Sequence, residues 1–522
     1  MAPDKATYRL AARRKKDLYP WTSVRIGVQA SVLVGFIVLF VMTKRGGWPA
    51  GFVNFPVRLS PLTMLAQMLA SRTFLAGSSL FLMVVILTLV FGRAWCGWLC
   101  PLGTILDLFS FKKSHLIKNS PPETWRKGKY IILLVTLVAA LVGNLTLLIL
   151  DPLTILFRTL STVIWPALDW VVSAIETALY QIPALDNPIS ALDNFLRPTL
   201  LPAEPVYYRN ILVFATTFIV IILLDLFAER FWCRYLCPLG GLLGLISKLA
   251  IFRRVVSDEC KDCGLCNRVC PTGTINPEKH FSSDPAECTM CLECIPACKR
   301  KSLVFLPKFG IAERQEYDPG RRELLAALLI GIPLAGVFGS DALVKTPNPT
   351  RIRPPGVSEQ DLLSKCIRCG VCIRTCPTSG LQPAVFEVGL DGLWTPVLAP
   401  RLGYCDYACN SCGQACPVQA IPPLSLVEKR LQIIGKAYID KNRCIAWADN
   451  RDCIVCEEMC PLPDKAIKLS QEQVTRPDGA TVQIKLPQVN RDTCIGCGIC
   501  EYKCPVNGTA AIQVYSYSPS TI

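Results

Sequence analysis

Histidine is almost missing: the 522 residues hold two, His115 and His280. Haem buried in a membrane is usually held by a histidine pair, and neither histidine lies in an apolar run, so b-type haem is excluded. No CxxCH occurs, which excludes covalently bound c-type haem. The chain has neither GxGxxG nor a P-loop, so nothing supports nicotinamide or nucleotide binding. Charge is scarce too, at 18% against 51% hydrophobic residues, a balance that indicates a membrane protein. The net charge of +15 does not point to nucleic acid. Residues 1–340 hold 36 Lys+Arg against 23 Asp+Glu, and residues 341–522 hold 19 against 17. The positive excess travels with the apolar part, where it orients helices.

Five apolar runs approach the ~20 residues that a bilayer core demands, at approximately 26–43, 75–94, 130–150, 210–228 and 323–340. Residues 153–180 are also apolar but carry Arg158, Asp169 and Glu176. They are expected to form a surface or re-entrant helix, with a sixth span as the alternative. Basic loops after the second and fourth runs, and an acidic loop after the third, set the N-terminus inside and the C-terminal part outside. The expected fold class is an α-helical integral membrane domain with α+β ferredoxin-like iron–sulfur domains on both faces. Residues 1–250 form the four-span domain and 251–310 a cytoplasmic two-cluster ferredoxin. Residues 311–345 carry a fifth span, and 346–522 form a four-cluster domain on the outer face. Arg321–Arg322, ahead of the fifth run, resemble a twin-arginine export signal, which moves folded domains; a plain positive-inside anchor is the alternative.

Cysteine is abundant, at 28 residues, and its spacing must decide between disulfides, zinc and iron–sulfur. Cys260, Cys263, Cys266 and Cys270 read C-x2-C-x2-C-x3-C-P, and Cys288, Cys291, Cys294 and Cys298 repeat the spacing. In bacterial two-cluster ferredoxins the fourth cysteine of each such run ligates the other cluster. That rule groups Cys260, Cys263, Cys266 and Cys298, and separately Cys288, Cys291, Cys294 and Cys270. Four further quartets follow: Cys366, Cys369, Cys372 and Cys376; Cys405, Cys409, Cys412 and Cys416; Cys444, Cys453, Cys456 and Cys460; Cys494, Cys497, Cys500 and Cys504. Six 4Fe–4S clusters are therefore expected. "GKAYIDKNRC" leads from the second outer quartet into the third, whereas the other two junctions hold hairpin-like sequence. This favours nested pairing, second with third and first with last; consecutive pairing is the alternative.

Four cysteines remain, in "GRAWCGWLCPLGT" and "ERFWCRYLCPLGG". Cys96 and Cys100, and likewise Cys233 and Cys237, are four apart and share a face if helical. Pro101 and Pro238 disfavour helical geometry at the cysteine before them. If the two motifs meet, Arg93 and Arg230 would stabilise thiolates or an anionic cofactor. The tetrad is expected to hold a metal or iron–sulfur group, or to act as a redox dithiol pair; buried inert cysteine is the bland alternative. Asp225 precedes Cys233 by eight residues, about 12 Å of helix. An acid in an apolar run is a candidate proton acceptor for quinol, or a partner for Arg230. Asp107 and Asp151 are weaker candidates.

The first ~310 residues resemble NapH, a membrane ferredoxin-type protein with four spans, two CxxxCP motifs and a cytoplasmic two-cluster ferredoxin. Residues from about 320 resemble NapG and MauM, exported proteins with a twin-arginine leader and four cluster motifs. The resemblance implies one chain fused from two: a quinol dehydrogenase component of the bacterial cytoplasmic membrane. It would draw electrons from the quinone pool and pass them to an outer-face partner such as a c-type cytochrome or periplasmic oxidoreductase. The alternative is a maturation or metal-reducing factor acting through the CxxxCP thiols.

Overall fold

The computed structural model describes residues 20–43, 54–74, 77–110, 121–199, 201, 206–257, 259–300, 302–307, 333, 351–385, 387–475 and 481–516. The expected fifth span, the twin arginine and His115 lie outside the described residues.

Among the described residues, the first part of the chain holds the helices α1 Pro20–Met42, α2 Pro61–Ser71, α3 Phe81–Phe91, α4 Pro101–Leu108, α5 Lys127–Leu141, α6 Pro152–Leu179, α7 Ile211–Leu223 and α8 Pro238–Ser247, with Asp186–Thr199 helical between α6 and α7 and a single turn at Phe55–Arg58. Proline opens five of these labelled helices at the first helical position, where its missing N–H costs nothing. Two, Trp21–Met42 and Pro152–Leu179, are long and apolar enough to cross a membrane. The apolar runs expected at 75–94 and 210–228 contain shorter helices, because each breaks before its CxxxCP motif.

The segment 153–180 is buried in its first part and exposed in its second, where Leu168, Trp170, Val171 and Ile175 face outward. Residues 152–159 are all buried, and the helix continues through a π turn at 160–164 to Leu179. The charges that argued against burial are accommodated. Asp169 and Glu176 both pair with Arg197, and the Arg158 guanidinium lies 3.5 Å over the Trp394 ring.

Helices α1, α3, α5 and α7 run between two cysteine-rich domains. Near the start of α1, Arg25 pairs with Glu293 at 2.7 Å; near its end, Phe40 lies under Arg374. Fifteen residues separate Arg25 and Phe40, or about 22 Å of helix. Arg93, just after α3, and Lys129, at the start of α5, both reach Glu287. Past the far end of α5, Thr146 accepts from Arg368. Phe214 at the start of α7 packs on Trp394. The flanks of these helices are apolar and open: Val34 is 60% exposed, Ile86 59%, Leu141 58% and Leu212 75%.

The first cysteine-rich domain is framed by antiparallel strands β1 Phe252–Val256 and β2 Leu303–Pro307. The second begins beyond the described gap. Its strands are β3 Leu381–Pro383 with β4 Pro396–Leu398, β5 Gly435–Ile439 with β8 Ile512–Ser516, and the long hairpin β6 Ile467–Thr475 with β7 Thr481–Val489. The β5–β8 pair brackets the last two quartets as β1–β2 brackets the first two in the chain. Two copies of one architecture are thus recognisable.

Asp151 shows what holds the N-termini of α2 and α6 together. One carboxylate oxygen caps α6, accepting from the Leu153 and Thr154 amides, and the other accepts from the Ser60 hydroxyl beside α2. Its role is structural. Asp151→Ala is expected to destabilise the helical domain by about 0.5–2 kcal/mol, read as a lower thermal-inactivation midpoint, while Asp151→Asn, which keeps a capping oxygen, stays near wild type.

Candidate iron–sulfur electron-transfer site

The two CxxxCP motifs adopt the same conformation. Trp95–Leu99 and Trp232–Leu236 are π-helical rather than α-helical, and Cys100 and Cys237 are extended and cap the helices that follow. Proline behind each cysteine enforces that break. All four cysteines are buried, and Cys237 lies close enough to sense the charge of the other three.

Arg93 and Arg230 cross between the copies. Arg230 donates to the Cys96 carbonyl at 3.0 Å, and Arg93 donates to the Cys233 carbonyl at 3.4 Å. This reciprocity makes the two motifs a pseudo-symmetric pair around the four sulfurs. Arg230 also forms a two-pronged ion pair with Asp107, at 2.8 and 2.6 Å. Asp107, expected only as a weaker proton acceptor, is therefore an arginine partner, and Gln29 donates to it as well.

The symmetry breaks at one position. Aligning the motifs sets Asp107 opposite Gly244, so Arg93 has no acid in its symmetric place. Glu287 of the ferredoxin domain supplies one, 3.2 Å from Arg93 and 2.5 Å from Lys129. Burial alone would raise its pKa, but the Lys129 ammonium and Arg93 guanidinium overrule this and hold the Glu287 carboxyl below its usual range. Glu287 directly precedes Cys288. The same loop donates no sulfur to the tetrad yet lies on it. Trp98 donates to the Met290 carbonyl at 2.9 Å, and a Cβ at Gly97 would collide with the Thr289 carbonyl. Sequence reading missed Glu287 and Lys129. The signal was available in the glycine at 244, which leaves one of two repeated arginines without a carboxylate.

Asp225 is not deep in a helix. The helix ends at Leu223, a 3-10 turn spans Leu224–Leu226, and Arg230 takes a φ of 53°. The chain therefore turns back, and Asp225 accepts from the Phe231 amide at 3.0 Å. Its second oxygen is buried, with no hydrogen-bond partner among the described residues. The Arg230 guanidinium pairs with Asp107 instead, although the charge and the backbone amide of Arg230 reach Asp225.

In the first ferredoxin domain, Cys288, Cys291 and Cys294 all feel the charge of Cys270, so the fourth cysteine of one run reaches the other. Burial pushes the Cys288 thiol up to about 12, with Cys294 and Cys270 pushing the same way against the Met290 amide. Thiols crowded like this stay protonated unless a cation shares them. Left-handed backbone at Asp262, Gly264, Met290 and Leu292 bends the loops around the sulfurs. Gly370 and Gly498 do the same before Cys372 and Cys500.

The outer domain overturns the nested pairing. One cavity is lined by Cys366, Cys369, Cys372 and Cys416, another by Cys376, Cys405, Cys409 and Cys412, and a third by Cys444, Cys453, Cys456 and Cys504. Cys497 in turn feels Cys494 and Cys460. First pairs with second and third with fourth. The hairpin-like sequences misled because they are insertions inside each two-quartet unit: β3–β4 lies within the first and β6–β7 within the second. "GKAYIDKNRC" is β5, the opening strand of a new unit. The two units meet where the Cys405 amide donates to the Cys497 carbonyl at 2.8 Å. The cavities thus form a series that starts at Cys366 against the helical domain and ends at Cys444 near the long hairpin.

These residues fit iron–sulfur clusters. All 28 cysteines are free of disulfides, and they gather in fours. Arg158 adds an independent sign. It is 2% exposed, keeps its proton at neutral pH, and makes no carboxylate ion pair among the described residues, while its stem lies 3.9 Å from where a Cβ at Gly370, beside Cys369, would sit. A buried cation calls for a buried anion, which an iron-bound thiolate provides.

Geometry and cysteine grouping define the class, a ferredoxin-type 4Fe–4S protein. A family model described as "4Fe-4S binding domain" matches residues 73–119 and 210–257, the two CxxxCP segments, and a second of the same description matches 486–512. The methylamine utilization ferredoxin-type protein MauM of Paracoccus denitrificans is 34% identical over 206 residues, 37% of this chain and 86% of that protein. The ferredoxin-type protein NapG of Escherichia coli is 32% identical over 196 residues, 35% and 81%. The putative electron transport protein YccM of E. coli is 28% identical over 261 residues, 50% and 64%. No solved structure matches. The chain belongs to the MauM/NapG family of ferredoxin-type electron-transfer proteins.

The docking of Glu287 is testable. Glu287→Ala strands Arg93 and Lys129 without their anion and is expected to cost about 3–5 kcal/mol. The readout is earlier unfolding and faster proteolytic release of the first ferredoxin domain; a wild-type protease pattern would refute the docking role.

Proposed function

We propose that the protein is a multi-pass component of the bacterial cytoplasmic membrane that oxidises quinol and passes electrons to a redox partner on the outer face. The observation that carries this reading is the order of the cysteine groups. The CxxxCP tetrad lies against the first ferredoxin domain at one end of the helices, and the four outer groups begin at the other end. Gln29, which donates to the Gly97 carbonyl beside the tetrad, and Phe40 beneath the outer domain are eleven residues apart on α1. That is about 16 Å, half of the ~30 Å core. The exposed apolar flanks of the helices suit contact with lipid, and exposed Trp21, Trp125 and Tyr207 suit its interfaces.

Clusters at these cysteines would supply one-electron carriers of tunable potential. The protein's residues supply the rest. Arg93 and Arg230 fix the tetrad's backbone and bias it toward negative charge. Asp225, with one oxygen committed and one unpartnered, is the best-placed base for a quinol proton. NapH-like membrane attachment, quinol as donor and a cluster at the tetrad all belong to this proposal. Its rival, a maturation factor using the CxxxCP thiols on an incoming metal, sits poorly with a tetrad buried under the loop 286–293.

The purified full-length protein is expected to contain about 24 irons if the six quartets alone are loaded, and about 28 if the tetrad also holds a cubane. Menaquinol or ubiquinol should bleach the cluster absorbance, and Asp225→Asn should slow that bleaching at least tenfold without loss of iron. No bleaching by either quinol would remove the quinol reading; normal bleaching in Asp225→Asn would remove only the acid.

A further inference from the structure

The Cys366–Cys369–Cys372–Cys416 group has buried arginines around it, where the Cys376–Cys405–Cys409–Cys412 group has the buried Lys429 and Arg353, the latter paired with Glu359. Arg368 is 1% exposed and Arg158 2%, and Arg58 is half-buried. Arg368 lines the cavity with the four cysteines and donates to the Cys366 carbonyl at 3.0 Å, the Arg158 stem lies 3.9 Å from where a Cβ at Gly370, beside Cys369, would sit, and Arg58 is within charge reach of Cys416. None of the three has a carboxylate ion pair among the described residues; Asp391 is near Arg368. Arg158 is held by π faces and carbonyls alone, 3.5 Å from the Trp394 ring centre, 5.6 Å from that of Phe214, and donating to the Arg368 and Ile149 carbonyls. By contrast, the largest charge effects on Cys456 in the farthest group come from Cys453 and Cys444, and Cys500 has Glu501 beside it.

Two of these arginines come from the helical domain and one from the outer domain, so the cage exists only when the domains are docked. Guanidinium is delocalised and weakly hydrated, which makes it the cation best suited to such burial. Three positive charges in a dry site stabilise any added negative charge there much more than they would in water.

We propose that Arg58, Arg158 and Arg368 form a guanidinium cage that raises the reduction potential of the group at Cys366, Cys369, Cys372 and Cys416, making it the point at which electrons pass from the helical domain into the outer domain. The redox step is the uptake of one electron, which adds one negative charge inside the cage; no proton need accompany it, because the arginines already balance the charge. The inference rests on iron–sulfur loading but not on quinol as donor.

The test is a mediator-poised redox titration of the full-length protein with dithionite as reductant, followed by electron paramagnetic resonance. Cys416→Ser identifies the signal of this group by altering it alone. Arg158→Gln is expected to shift that signal's reduction equilibrium at least tenfold against reduction, or 59 mV for one electron. Arg58→Gln, at a more solvated position, shifts it less, and Arg158→Lys, which keeps the charge, less than Arg158→Gln. The remaining outer signals stay where they are. An unmoved signal in both glutamine variants overturns the proposal, as does a common shift of all outer signals. If Arg158→Gln fails to load this group, loading by Arg158→Lys upholds the charge role, and failure of both assigns Arg158 to packing and overturns it. Quinol plays no part in the titration, so a failure here is separate from a failure of the donor assignment.

Discussion

The structure turns on a pair of crossed arginines. Each CxxxCP motif sends its guanidinium into the backbone of the other, so neither motif is complete by itself. Buried guanidiniums need anions, and that need organises much of the rest. Asp107 answers Arg230 from within the helices, whereas Glu287 answers Arg93 from the ferredoxin domain. The ferredoxin is thereby fixed to the tetrad by a fully buried ion pair instead of a surface encounter. At the far end of the helices the same physics recurs with thiolates as the anions.

The outer domain holds two two-quartet units, each enlarged by a hairpin between its quartets, and the second repeats the strand-bracketed plan of the first ferredoxin. Consecutive pairing makes each unit locally closed, with short loops between its sulfurs. The two units then need only one seam, at Cys405 and Cys497, to bring four groups into series. Nested pairing would have demanded long-range closure across the whole domain before any site was complete.

Cysteine grouping was largely legible in the sequence, because thiolate spacing is dictated by the shape of what it binds. The break at each CxxxCP motif was legible too, since proline constrains the residue before it. The pairing of the outer quartets was not. A hairpin insertion leaves the same signature inside a unit as between units, and only β5–β8 contact distinguishes them. Burial of Arg158 was hidden for a related reason. An arginine in an apolar run looks like a surface marker until Trp394, more than two hundred residues away, is seen against it. Asp225 was misjudged because helical rise was extended through a segment that turns back at Arg230.

Gly244 carries a last consequence. A duplicated motif would be expected to keep its acid in both copies, and the second copy has given it up. The helices alone are therefore electrostatically unfinished: cut the chain at residue 250, and Arg93 and Lys129 lose both their shared carboxylate and the loop that covers them. Domain shuffling at that boundary is closed to this protein unless the incoming module brings a carboxylate to the same spot. The boundary is a seam in the sequence but not in the energetics, and inheritance should treat the two parts as one.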